Sequence, residues 1–281
     1  MKIDEIIKRH SLSETEENEL REYIENRFSG CEQKAPGEFE QLAVWRKIVS
    51  LGELIGAAEV INKKVIPKHP VDFNDPEGVR FEIFSSFAGD IPIIYARNTA
   101  DFEAIVTNLI YKGERPENIS QTGASFVSGK STRLIILSAK PYSNVPASEL
   151  GLDEAGWAEK SMLLRRSHEY THYYTKQVFG ISNNMLHDEL MADLIGLYDT
   201  FGFYKAEWFL RFMGVIEGSG GRLVVYTSEL SDNVKKVVTE LLCKAAQGLE
   251  KWSQSEGFKE LTNAERINIM CRAGILDMAD L

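Results

Sequence analysis

Apolar and polar positions change rhythm twice along this chain. SLSETEENELREYIENRF, from residue 11, opens on serines suited to capping and carries acids in its first turn, which predicts a helix. GEFEQLAVWRKIVSLGELIGAAEVINKKV, residues 37–65, repeats apolar residues at steps of three and four. It predicts a longer helix that stops before Pro67. From about residue 70 the period shortens. VRFEIFSS (79–86) and IPIIYAR (91–97) read as strands across the turn FAGD, and TADFEAIVTNLIY (99–111) as a helix with Thr99 or Asp101 near its cap. ASFV (124–127) and TRLIILS (132–138) read as a hairpin across SGKS, and Pro141 and Pro146 close this region. Helical spacing returns at Asp153. One helix runs from about 153 to 179 and ends at Gly180; a second runs from about 184 to 200 and ends at Gly202. GSGGR (218–222) is a loop, and two or three further helices follow.

Runs of helix, then mixed elements, then helix predict an α+β fold rather than strict alternation. The expected organisation is a helical segment at 1–66, a small mixed α/β lobe at 67–150 and a largely helical lobe at 151–281, together one catalytic unit. A net charge of -10 argues against a broad nucleic-acid or anionic-membrane surface. No apolar run reaches the length of a membrane span, and the first residues lack the apolar core of a secretory signal. Cys31, Cys243 and Cys271 are scattered, with no CxxC pair, so neither a disulfide framework nor a thiolate metal knuckle is expected. Cytoplasmic placement is the expectation from these absences.

ASFVSGKS, Ala124 to Ser131, fits a relaxed phosphate-loop pattern. The mechanism needs a helix after the loop, and TRLIIL follows instead. A hairpin turn with Lys130 in solvent is the better account.

The chemistry concentrates in SHEYTHYYTKQVFGISNNMLHDELMAD, residues 167–193. His168-Glu169-Tyr170-Thr171-His172 is an HExxH sequence. On a helix the two imidazoles lie about 40° apart and Glu169 about 60° beyond them. One turn then offers two ligands for a cation and a carboxylate beside it. Aromatic and aliphatic residues surround them in nearly every direction, so the helix should be largely buried and its polar groups need partners. Tyr173 and Tyr174 read as core. Glu189 and Asp193 lie four apart on the next helix, which has room to fold back antiparallel. Glu189 can supply a third ligand, and Asp193 can accept from the outer nitrogen of a ligand histidine. His187 competes with Glu189 but lies about 200° away around that helix, so both cannot face one ion. His10 and His69 read as plain surface residues. Metzincin chemistry needs Gly and His where Thr175 and Val178 stand, and a di-iron site needs a second ExxH that the chain lacks.

HExxH followed by ExxxD resembles the gluzincins, the thermolysin-like clan of zinc metallopeptidases. The resemblance covers residues 168–193. It implies a zincin-like fold with the HExxH helix central. It implies Zn2+ on His168, His172 and Glu189, Glu169 as general base and Asp193 supporting a histidine ligand. The implied reaction is peptide-bond hydrolysis by a zinc-bound water, with a peptide or protein as substrate. An oxyanion or substrate contact is left open among His187, Tyr226, Arg222, Tyr173 and Tyr174. TRLIILS is the candidate edge strand for a peptide, with an interior strand as the alternative. Two other readings stand beside this one: a zinc site with a non-peptide substrate or no catalysis, and a metal-free helical interaction protein.

Overall fold

Ser13 accepts from the amide of Glu16 while the Glu16 carboxylate accepts from the amide of Ser13, a capping box that starts the first long run of acidic helix. The computed structural model describes residues 3–35, 37, 40–128, 133–181 and 185–281. The turn expected around Lys130 lies outside them. In chain order the helices are α1 (Ile3–His10), α2 (Glu14–Tyr23), α3 (Leu42–Ile55), α4 (Ala57–Val60), α5 (Thr99–Ile110), α6 (Ala147–Leu150) and α7 (Glu154–Phe179). They continue with α8 (Leu186–Phe201), α9 (Ala206–Met213), α10 (Leu223–Thr227), α11 (Asp232–Gln254), α12 (Glu256–Glu260) and α13 (Asn263–Asp277). The strands are β1 (Val79–Ser86), β2 (Gly89–Ala96), β3 (Ala124–Ser128) and β4 (Arg133–Ser138). The fold is mixed α+β, mostly helical, with one small sheet.

The chain divides into two compact units. One is Pro36–Tyr170; the other joins Met1–Ala35 to Thr171–Leu281.

The first of these holds the sheet, in the order β1-β2-β4-β3. β1 and β2 form an antiparallel hairpin, as do β3 and β4, and β2 runs parallel to β4. Ile94 and Ala96 of β2 and Leu134 and Ile136 of β4 pack with Phe102, Ile105 and Val106 of α5, the crossover helix. Ile93, Tyr95, Ile135 and Leu137 are buried as well, so both faces of these strands are covered. β4, the described part of TRLIILS, is therefore an interior strand and not an edge. Its unbroken apolar run is what a doubly covered strand requires, and the outer strands are β1 and β3. The stretch at 37–65 is also not one helix. Gly56, at φ 92°, stops α3, and the chain resumes in α4 and a π-helical turn at Ile61–Val65. The apolar rhythm survives the break because Leu42, Trp45, Ala57 and Ile61 share one core. Asn98 caps α5 by accepting from the amides of Ala100 and Asp101. Asp101 instead turns inward, where its buried carboxylate accepts from both nitrogens of Asn74 and the amide of Asp75.

In the second unit α11 presents Val234, Val237, Val238, Leu241 and Leu242 as a buried stripe. Glu19 of α2 accepts from the amide and hydroxyl of Ser231, just before that helix. Among the described residues no helix is long and apolar enough to cross a membrane.

His10 is not a plain surface residue. With Arg9 it reaches Glu240 of α11, at 2.8 and 2.7 Å, and Lys244 stands 2.5 Å from the same carboxylate. Lys244, then His10, then Arg9 hold Glu240 at about 2, below its ordinary 4.5. A depressed carboxylate contributes stability above its unfolded pKa and loses it as pH falls through the folded value. Glu240→Gln should destabilise the chain by about 1–2 kcal/mol at pH 7, allowing for solvent screening. Urea unfolding should show that deficit shrinking from pH 4.5 toward pH 2; a deficit constant across that window contradicts the assignment.

Candidate metal centre

Trp157, Ser161, Arg165 and His168 follow one another along α7 at steps of four, four and three, which makes them a single stripe. Each holds the segment after β4. Trp157 donates from Nε1 to the carbonyl of Val145 at 2.7 Å, and Ser161 Oγ accepts from the amide of Tyr142 at 3.0 Å. Arg165 donates to the carbonyls of Ser138, Lys140 and Pro141. Gly123 leaves space for it; a Cβ there would lie 2.6 Å from the guanidinium. The segment is thereby fixed so that the Tyr142 hydroxyl sits 2.8 Å from His168 Nδ1. In the tautomer that donates from Nδ1 to the Tyr142 oxygen, the ring's lone pair lies on Nε2.

One turn on, His172 joins His168, and Glu189 comes from α8. Ligand atoms of the three lie within 4.8 Å of one another. His172 Nε2 stands 3.4 Å from Glu189 Oε1. Two ligands on a tetrahedral ion at about 2.0–2.1 Å are about 3.4 Å apart, so this pair already has the edge length a small divalent cation needs. Two imidazoles and a carboxylate, with Tyr142 on the outer nitrogen of one imidazole, fit such an ion. Glu169, half-buried, follows His168 on α7.

Glu189 and Asp193 are almost fully buried on α8, and two unpaired carboxylates could not stay charged there. Arg222 answers both. Its Nη1 donates to Glu189 Oε2 at 3.0 Å and its Nη2 to Asp193. The arginine is delivered by the glycines before it. A Cβ on Gly220 would fall 1.8 Å from the carbonyl oxygen of Arg211, so the loop backbone lies directly on the end of α9. Tyr226 stands one turn beyond Arg222, close enough for its hydroxyl to feel the Glu189 charge. Burial first, and then the Glu189 charge, push its hydroxyl well above the usual phenol range, so it stays protonated.

His168, His172 and Glu189 thus come together as their spacing predicts, and Arg222 meets Glu189. Asp193 engages Arg222, while the group on the outer nitrogen of His168 is Tyr142. His187 is not a member of the cluster. It donates from Nε2 to the carbonyl of Met270 at 2.9 Å and meets the edge of Phe28, and burial lowers its pKa to about 4. Tyr173 and Tyr174 are core, the latter bonded to Asn268. Tyr142 and Arg165 escaped the sequence reading. Arg165 carries a usable signal, a cation on the same stripe as His168; Tyr142 lies in a loop with no period to mark it.

The chain belongs to a family of unknown function (DUF7005), which it matches over residues 60–133 and 130–281, a span that includes every residue of the cluster. No curated protein and no solved structure matches it.

Tyr142→Phe keeps the ring and removes the partner of His168. Affinity for added Zn2+, used as a probe cation in chelator competition, should fall about 10–100-fold relative to the unsubstituted chain if the cluster takes a cation, while stability changes by about 1 kcal/mol. Arg222→Leu leaves Glu189 and Asp193 without their guanidinium. Urea unfolding should show a loss of about 3–5 kcal/mol, and a loss below about 1 would mean the arginine is dispensable.

Proposed function

We propose that this chain is a zinc-dependent metallopeptidase of the gluzincin type, built on a zincin-like arrangement. The observation that carries the proposal is the gathering of His168, His172 and Glu189 in one cluster, with Glu169 next to His168 on the same helix turn. His168 and His172 would hold the ion through ring nitrogens and Glu189 through Oε1, since Arg222 engages Oε2. Zinc, when bound, supplies a Lewis acid that acidifies water and polarises a carbonyl.

The chain's own groups supply the remainder. Glu169 accepts a proton from the attacking water and returns it to the leaving amine, the work of a general base that becomes a general acid. Tyr142 fixes the ring of His168. Arg222 neutralises the Glu189–Asp193 pair and keeps Glu189 in one orientation. Tyr226, whose hydroxyl stays protonated beside the Glu189 charge, is kept as one of the expected oxyanion contacts.

A metal-free polar network is the second reading, and Arg222 favours it: the guanidinium already satisfies much of the buried acid. Elemental analysis and a peptide-library digest separate the two. The metallopeptidase should carry one zinc per chain, lose it in Glu189→Ala, and lose turnover but not zinc in Glu169→Gln. A wild-type chain without stoichiometric zinc after reconstitution would leave the polar network standing. Zinc without turnover on any peptide would leave a metal site with other chemistry.

A further inference from the structure

The sheet unit contains a cleft of about 720 Å3 that uses no residue of the metal cluster. Its floor is apolar, formed by Ala57 where α4 starts, Val71, and Val79 and Phe81 of the outer strand β1. Gly52 brings α3 onto that strand; a Cβ there would lie 2.7 Å from the Phe81 ring. The kink at Gly56 then turns the chain and leaves Leu54 81% and Ile55 47% exposed. Two adjacent large apolar side chains in water beside an apolar cleft extend the greasy surface past its rim.

The opposite wall is clamped. Asn62 both donates to and accepts from the backbone of Val71, each at 2.8 Å. Asp101 holds Asn74 and Asp75, and Asp75 pairs with Arg97. A wall tied at both ends is a pre-formed one, and a cleft of this size is ordinary for a ligand site.

Charge is one-sided on both lips. Glu53 and Glu59 stand on the α3–α4 side, and Asp72 and Glu77 on the other. Among the described residues Arg80 is the one cation lining the cleft, and its guanidinium sits 3.7 Å over the Tyr95 ring. Glu59 is paired with Lys63, whereas among the described residues Glu53 and Asp72 have no ion pair. An acceptable occupant must therefore bring positive charge to both lips and apolar groups to the floor between them.

We infer that this cleft binds an extended peptide segment in which lysine or arginine alternates with large apolar residues. A polyamine brings the charges without the apolar body. An acidic or neutral peptide leaves the carboxylates unmatched.

The probe is a fluorescein-labelled octapeptide, Lys-Leu-Lys-Phe-Arg-Leu-Lys-Leu, titrated with the full chain and read by anisotropy, with its integrity checked by mass. Binding should be saturable. Glu53→Lys with Asp72→Lys, both exposed positions, should weaken it about tenfold or more. Asp232→Lys with Glu256→Lys makes the same change of net charge at side chains 92% and 85% exposed, and should weaken it less than about twofold. Equal weakening by the two pairs would reduce the effect to the overall charge of -10 and overturn the proposal. So would equal affinity for the octapeptide with glutamate at every basic position, or displacement by spermine at the peptide's own concentration. None of these readouts depends on zinc or on hydrolysis.

Discussion

The contact on which the candidate centre depends is the one between α7 and the segment leaving β4. That segment has carbonyls of Ser138, Lys140 and Pro141 turned toward the protein, where unpaired acceptors are expensive. One buried guanidinium, Arg165, satisfies all three. Its planar fork can serve several acceptors while remaining charged, which a lysine ammonium could not do with the same geometry. Because the segment is fixed, Tyr142 has a fixed position, and because Tyr142 is fixed, so is the ring of His168. A chain of ordinary hydrogen bonds therefore ends in the choice of nitrogen that faces the cluster.

Charge is the second constraint, and it works from the other side. Glu189 and Asp193 share a buried helix face four residues apart, so their mutual repulsion would raise both pKa values if nothing intervened. Arg222 supplies one positive charge to two carboxylates. His172 approaches one of them, with Nε2 3.4 Å from Glu189 Oε1. By engaging Oε2 the arginine leaves Oε1 toward the histidines. The same interaction that makes the carboxylates tolerable without a metal thus also leaves one Glu189 oxygen facing the histidines.

What was legible in the sequence follows the range of the interaction. His168 and His172 are related by helix geometry alone, and Glu189 by a short return helix, so a spacing rule reaches them. The helices, strands and both hairpin pairings also rest on local pattern. The rest needed long-range information. Nothing within residues 132–138 says which strand flanks them, although their lack of alternation marks a strand covered on both faces. Gly56 looked tolerable inside a helical rhythm because the residues on either side continue to serve one core. The joining of Met1–Ala35 with Thr171–Leu281 depends on contacts such as Glu19 with Ser231 and Glu240 with His10, which no local period records. Tyr142 stands 26 residues before the histidine it orients and is invisible for the same reason.

Gly123 and Gly220 show why such information is hard to recover. Neither has a positive backbone φ, so neither is explained by a turn that only glycine can make. Each is small because something charged or polar must come close: the Arg165 guanidinium at one, the Arg211 carbonyl at the other. A methyl group at Gly123 would displace the arginine that fixes Tyr142, and one at Gly220 would lift the loop that delivers Arg222. The two faces of the centre, histidine and carboxylate, are therefore each set by an arginine whose place is made by a missing side chain. A sequence reading that treats glycine as punctuation passes over both. The physical signal is a close approach, and it exists only once the chain has folded.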